Sequence, residues 1–296
     1  MLLAAARTAA GQSPPSDVTT AEARSDDELG LTVFSASYLG SASTASVLVG
    51  IEVHGVSDAP LAQDGLPRRL EVRYLTDGGR PAATEHAVAV PLGDSQTVKQ
   101  AAREGVRVLT RVGLTPGPHV LRVTARDTGD RRTGSVVHAL EVPNLVEAPV
   151  TMSSLVLSSS GVGGVTHTDA DDDRTLPLVA RPPTGRRLFS RGEQVEVNAE
   201  IYEAVPDDLM GQLTVATSIV SSIGRAVYET VDVGQSETLT SGAYGYHHYT
   251  LVPVGTLQPG AYVVRVTASV DGAMTASRSV SIAVAGSDES TGGGAR

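Results

Sequence analysis

Leu114-Thr115-Pro116-Gly117-Pro118-His119-Val120-Leu121-Arg122-Val123-Thr124-Ala125 has a counterpart far along the chain, Leu257-Gln258-Pro259-Gly260-Ala261-Tyr262-Val263-Val264-Arg265-Val266-Thr267-Ala268. The two stretches share the leading Leu, the Pro-Gly pair and the closing Arg-Val-Thr-Ala. Pro presets one turn residue, and Gly supplies backbone freedom for a tight turn. Behind the turn, alternation sends Leu121 and Val123 inward and Arg122 and Thr124 outward, with Val264, Val266 and Arg265 in the same relation. Tyr262 stands where a tyrosine corner forms, and His119 takes that place in the first copy. A turn and strand that recur as a unit mark a duplicated β domain.

The surroundings of each copy agree. In the first half, residues 45–53 set Val47, Val49, Ile51 and Val53 on one face, and residues 70–76 set Leu70, Val72 and Tyr74 inward. Residues 31–38, 86–91, 106–110, 119–127 and 133–142 complete a set of about seven strands, the number of an immunoglobulin-like sandwich. Residues 95–104, rich in Gln, Ala and Arg, are open to a short helix. In the second half, residues 194–202 put Val195, Val197, Ala199 and Ile201 on one face and Glu196, Asn198 and Glu200 on the other. Strands over 213–219, 226–233, 244–252, 262–270 and 275–284 follow. The fold class is all-β: two tandem immunoglobulin/fibronectin-III-like β-sandwich domains, residues 31–148 and 186–286. Residues 1–30 read as a linker or disordered segment without a signal peptide, and 287–296 as a disordered tail. Residues 149–185 read as a linker holding an acidic loop and an entry strand over 154–157. So long a connection makes the two sandwiches independent folding units.

Composition limits function. The 296 residues carry 33 acidic and 23 basic side chains, a net charge of −10, with no Cys, no Trp and a single lysine, Lys99. That balance disfavours nucleic acid and anionic membrane as partners. Absent cysteine removes disulfides, thiolate metal sites and a cysteine nucleophile. No apolar run is long enough to span a bilayer, so no membrane insertion is expected.

Leu114 to Ala125, the exit Leu140-Glu141-Val142-Pro143-Asn144, Leu155-Val156-Leu157, and Arg187-Leu188-Phe189-Ser190-Arg191-Gly192-Glu193 before a strand ending in Ile201-Tyr202 together resemble the C-terminal region of bacterial VWFA-related proteins of the acidobacterial type. The resemblance spans about residues 25–285 and implies an extracytoplasmic β-rich region beside an adhesion-type domain, with the chain a fragment of such a protein or a stand-alone relative. The Asp-x-Ser-x-Ser metal motif of the family's A domain does not occur here, so no residue inherits that site.

Few residues invite chemistry. Asp169, Asp171 and Asp173 have the 1-3-5 spacing of a calcium loop, but Arg174 stands where the turn glycine belongs and Ala180 where the closing glutamate belongs. A solvated acidic loop explains them as well, so no cofactor is expected and calcium is the one candidate. His247 and His248 are adjacent on a strand and point to opposite faces. Gly161-Val162-Gly163-Gly164 is neither a Walker loop nor a dinucleotide fingerprint. Tyr244, Tyr246 and His248 share a strand face and form a candidate contact patch for protein or sugar, set against ordinary cross-strand packing. No nucleophile elbow is present, and no enzyme activity is expected. The expected role is a non-catalytic structural or protein-interaction module of the bacterial cell envelope, located outside the cytoplasm, its protein partner unknown. The alternative is an accessory, glycan-binding domain of an extracellular hydrolase.

Overall fold

A computed structural model describes residues 20–23, 29–41, 43–59, 65, 67–77, 84–168, 181–204, 212–239, 242–271 and 274–286. The first half contains β1 (Thr20–Ala23), β2 (Gly30–Tyr38), β3 (Ala45–His54), β4 (Arg69–Asp77), β5 (Thr84–Pro91), α1 (Ser95–Glu104), β6 (Val106–Leu114), β7 (Gly117–Asp127) and β8 (Thr133–Val142). The rest contains β9 (Val150–Met152), β10 (Val156–Ser159), β11 (Val165–Thr168), β12 (Leu188–Phe189), β13 (Val195–Glu203), β14 (Leu213–Ser221), β15 (Ala226–Gly234), β16 (Glu237–Thr238), β17 (Tyr244–Val252), β18 (Gly260–Val270) and β19 (Met274–Val284).

These strands make two sandwiches, as the alternation requires. In the first, the sheet β1-β2-β3-β6-β11 faces the sheet β5-β4-β7-β8 across a core of Val33, Val47, Ile51, Val108, Leu70, Val72, Leu121 and Val123. In the second, β10-β13-β17-β16, with β9 also paired to β13, faces β12-β19-β18-β14-β15 across Val195, Val197, Ile201, Val215, Val264 and Val266. The recurrent strands β7 and β18 are both central, each flanked by two antiparallel neighbours. Gly117 and Gly260, at φ +120° and +151°, start them in backbone conformations that a side chain resists. The corner contact recurs too. The Tyr262 hydroxyl donates to the Gln258 carbonyl at 2.8 Å, and His119 Nε2 lies 2.8 Å from the Thr115 carbonyl, four residues back in both copies. A carbonyl only accepts, so Nε2 carries the proton there.

The open segment at 95–104 is a helix. Asp94 caps it, accepting from the backbone amides of Gln96 and Thr97 at 2.9 and 2.8 Å, and Gly105 ends it at φ +87°. A buried ion pair escaped the sequence reading. Arg68 holds Asp127 through Nε at 2.9 Å and through its terminal nitrogen at 2.5 Å, both side chains fully enclosed. Burial alone would raise the Asp127 carboxyl, but bonds from Arg68 and from the amides of Gly129 and Ser57 outweigh it and hold the group below its ordinary value.

Two expectations are corrected. Part of the segment 1–30 is a strand: β1 pairs with β2. Residues 149–185 contain three strands: β9 and β10 pair with β13 in the second sandwich, while β11 runs parallel to β6 in the first. The chain therefore passes from β8 to the second sandwich, returns at β11, and crosses again to β12. The sandwiches are also packed on one another. Phe34 and Ala36 of β2, Leu48 of β3 and Leu109 of β6 turn away from their own core and meet Val156 of β10. Leu145, Tyr202 and Leu239 form a second apolar contact. Glu196, Asn198 and Glu200, read as the outer face of β13, are consequently buried, at 1%, 2% and 5% exposure. The tail 287–296 and the acidic loop lie outside the described residues.

Candidate functional site at the sandwich junction

Side chains from both halves stitch the junction. The Ser154 amide donates to the Ser37 carbonyl and the Ser37 amide to Ser154 Oγ, each at 2.9 Å. The Tyr202 hydroxyl accepts from the Leu39 amide at 3.0 Å and donates to Glu200 at 2.7 Å. Burial and the neighbouring Glu200 raise the Tyr202 phenol, and burial raises Glu200. Arg111 lies over the Tyr38 ring, 4.7 Å from its centre. Gly185 is small because the linker presses on Phe34: an added Cβ would stand 2.9 Å from that ring.

Beside this packed zone the junction opens into a cleft of about 550 Å³. Its walls come from the start of β2, the ends of β3 and α1, the start of β6, the Gly161-Val162-Gly163 loop, and residues 184–188. The glycine run therefore has a steric purpose. Gly164 takes φ +105°, and a Cβ there would stand 2.8 Å from the Gly105 carbonyl oxygen. Glu52 sits at the base, 6% exposed, accepting from Arg107 Nε at 3.1 Å and from the Thr184 hydroxyl at 2.7 Å. Arg107 also reaches the Thr166 hydroxyl at 3.4 Å. Arg186 pairs with Glu193 and covers Phe189. Arg187 is half-buried. Its NH1 donates to the carbonyls of Thr184 at 3.1 Å and Arg186 at 2.9 Å. Burial pushes its guanidinium down to about 10, against the pull of Glu52.

The residues picked out from the sequence fall elsewhere. Asp169, Asp171 and Asp173 lie outside the described residues, and among the described residues no three His, Asp or Glu side chains gather in a way that could hold a metal. Tyr244, Tyr246 and His248 do share a face of β17, but it is the inner one. Tyr246 packs against the second core, and His248 is 0% exposed, with Nε2 2.9 Å from Thr217 Oγ1. Burial lowers the His248 imidazole, partly opposed by Asp232. Of the expected contact patch, His248 is enclosed between the sheets, while Tyr244 and Tyr246 are half-buried. The opposite face of that strand carries half-buried His247 and exposed Tyr249 and Leu251, the last two at 45% and 48% exposure. Nothing local in the sequence distinguishes Arg187, a cleft arginine, from a surface one.

No family model matches the chain, and no curated protein matches it. Solved structures overlap it slightly. A chain assigned as a β-galactosidase of Bacteroides fragilis gives a TM-score of 0.30 at 10% identity, covering 82% of this chain and 33% of that one. A calcium-binding mutant of Bacteroides uniformis β-glucuronidase 2 gives 0.27 at 11%, covering 80% and 26%. Parabacteroides merdae β-glucuronidase gives 0.26 at 10%, covering 83% and 28%. The chain spans a third or less of each, and overlaps this slight transfer no function.

Proposed function

We propose that the chain is a non-catalytic interaction module of the bacterial cell envelope, acting outside the cytoplasm, whose protein partner adds a strand to β15. The observation that carries this is the state of that edge. β15 pairs with β14 on one side and ends the sheet on the other. It is nine residues long and exposes Val227, Val231 and Val233 at 44%, 58% and 60%, with Ile223 at 86% in the adjoining turn. Proteins usually blunt such edges with lysines, prolines or short strands. The only charge among the outward valines is Glu229, and the chain as a whole carries −10. An extended segment of alternating β-branched and basic residues fits that edge, its backbone completing the ladder and its cations facing Glu229. The resemblance to VWFA-related C-terminal regions supports the envelope setting and a neighbouring adhesion-type domain. No helix among the described residues is long and apolar enough to cross a membrane.

The glycan-binding alternative has one exposed ring on β17, Tyr249, and no tryptophan beside it. Titration of the full chain with a capped peptide alternating valine and lysine separates the two readings. Saturable binding is expected, with protection of β15 amides from hydrogen exchange. It should disappear in the Val231→Lys/Val233→Lys double variant while the melting temperature holds. Equal binding of a valine–glutamate peptide, or binding untouched by the double variant, refutes the edge reading. Retention of soluble polysaccharide that is lost on Tyr249→Ala would establish the alternative instead.

A further inference from the structure

The junction cleft contains a charge that the protein leaves unbalanced. Arg107 and Arg187 are positive and Glu52, the buried carboxylate of the lining, is negative and already engaged by Arg107 and Thr184 through the same oxygen. Arg187 has no carboxylate within ion-pair distance among the described residues. The group of three therefore carries one net positive charge, and Arg187 is half-buried within it. The remaining titratable groups facing the space do not cancel it. Arg186 is matched by Glu193. Glu104 stands exposed at the rim and accepts from the Gly164 amide at 2.9 Å. His54 is exposed at the rim as well.

The orientation of Arg187 is more specific than its charge. Two backbone carbonyls hold its NH1, so the planar group cannot swing away. The opposite edge, Nε with NH2, makes no hydrogen bond among the described residues and is not sealed against solvent. Those two donors lie parallel, and that edge of a guanidinium matches the two oxygens of a carboxylate.

We infer that the cleft is a binding site for a small monocarboxylate, its two oxygens taken by Nε and NH2 of Arg187 and its body lodged between the sandwiches. One negative charge completes the balance with Arg107 and Glu52, whereas a phosphate dianion would overshoot it and meet Glu52. The volume suits a molecule well beyond acetate in size. The site is separate from the β15 edge and stands or falls without it.

Acetate is the probe, against chloride at matched ionic strength, on the ¹⁵N-labelled full chain. One arginine Nε–H resonance should move saturably with acetate and not with chloride, and phosphate should act more weakly. That resonance should be missing in Arg187→Lys. Arg187→Met should bind acetate about tenfold more weakly or worse, as expected for losing a charged hydrogen-bond pair. If Arg187→Met fails to fold, Glu52→Gln decides: removing the competing carboxylate should tighten acetate binding. An acetate response no larger than that of chloride, a responding resonance that survives in Arg187→Lys, or weaker binding in Glu52→Gln would overturn the inference.

Discussion

His138 on β8 is fully enclosed, with Nε2 3.0 Å from Ser35 Oγ on the facing sheet and Nδ1 without a partner among the described residues. Burial pushes its imidazole from 6.5 down to about 4. The folded chain therefore refuses a proton that the unfolded chain accepts. Its contribution to stability is complete above pH 6.5 and is lost progressively between 6.5 and about 4. The loss amounts to about 3 kcal/mol at most, from a shift of that size. Urea unfolding at pH 7 and 4.5 should show a fall in wild-type stability that is smaller by one proton's linkage in His138→Gln. Part of the slope should remain, because His248 is shifted the same way. An unchanged acid slope in the variant would refute the assignment. Val266 and Arg265 test the repeat strand. Val266 is 0% exposed between the sheets, while Arg265 faces outward with a buried Nε that has no partner among the described residues. Val266→Asp should unfold the second sandwich, since it puts an unpaired charge in the core. Arg265→Ser should change stability by less than about 0.5 kcal/mol. Equal damage from both would mean the register is off by one. These positions were legible because alternation declares a face. Arg68 was not: a strand's period says nothing about an arginine just ahead of it that folds inward onto an aspartate 59 residues away.

The strands themselves were read well wherever one face is apolar and the turns carry Pro or Gly. β8 and β17 fall where the pattern puts them, and the pattern of β18 fixes its buried valines. α1 stayed open because its decisive marks lie outside it, in the cap Asp94 and the stop Gly105. β3 and β13 were only half read. The run from Val47 to Val53 is nearly continuous in apolar residues, a sign of burial on both faces, yet alternation alone assigns only one of them. In β13 the second face is Glu196, Asn198 and Glu200, polar residues that look solvated until another domain covers them. The cleft could not be read at all, since its walls come from distant segments that only the junction brings together. The corner contacts offer a test of the duplication. Tyr262→Phe keeps the ring and removes the bond to Gln258, which should cost the second sandwich about 1 kcal/mol. His119→Phe should cost the first sandwich a similar amount through the Thr115 carbonyl. Denaturant midpoints measure both. A neutral effect in either copy would mean that the shared geometry there carries no stability.

The path of the chain decides how the two sandwiches respond to heat. β9 and β10 belong to the second sandwich, β11 to the first and β12 to the second again, so unfolding either half tears a strand from its neighbour. The buried layer of Phe34, Leu48, Leu109 and Val156 adds an apolar penalty to separation. A repeat joined by a long linker would give two melts, and tandem domains commonly do. Here the intact chain should unfold in one calorimetric transition, with van't Hoff and calorimetric enthalpies in agreement. Leu48 isolates the cause, being 1% exposed and turned toward the junction, away from its own core. Leu48→Asp places an unpaired charge between the sandwiches and leaves both cores intact. It should split the single transition into two, the first sandwich melting earlier. Its neighbour Val49 faces the core of the first sandwich, so Val49→Asp should abolish that domain outright and leave no second peak to resolve. Two separate transitions in the unaltered chain, or a Leu48→Asp variant that still melts as one body, would show that the junction does not couple the halves.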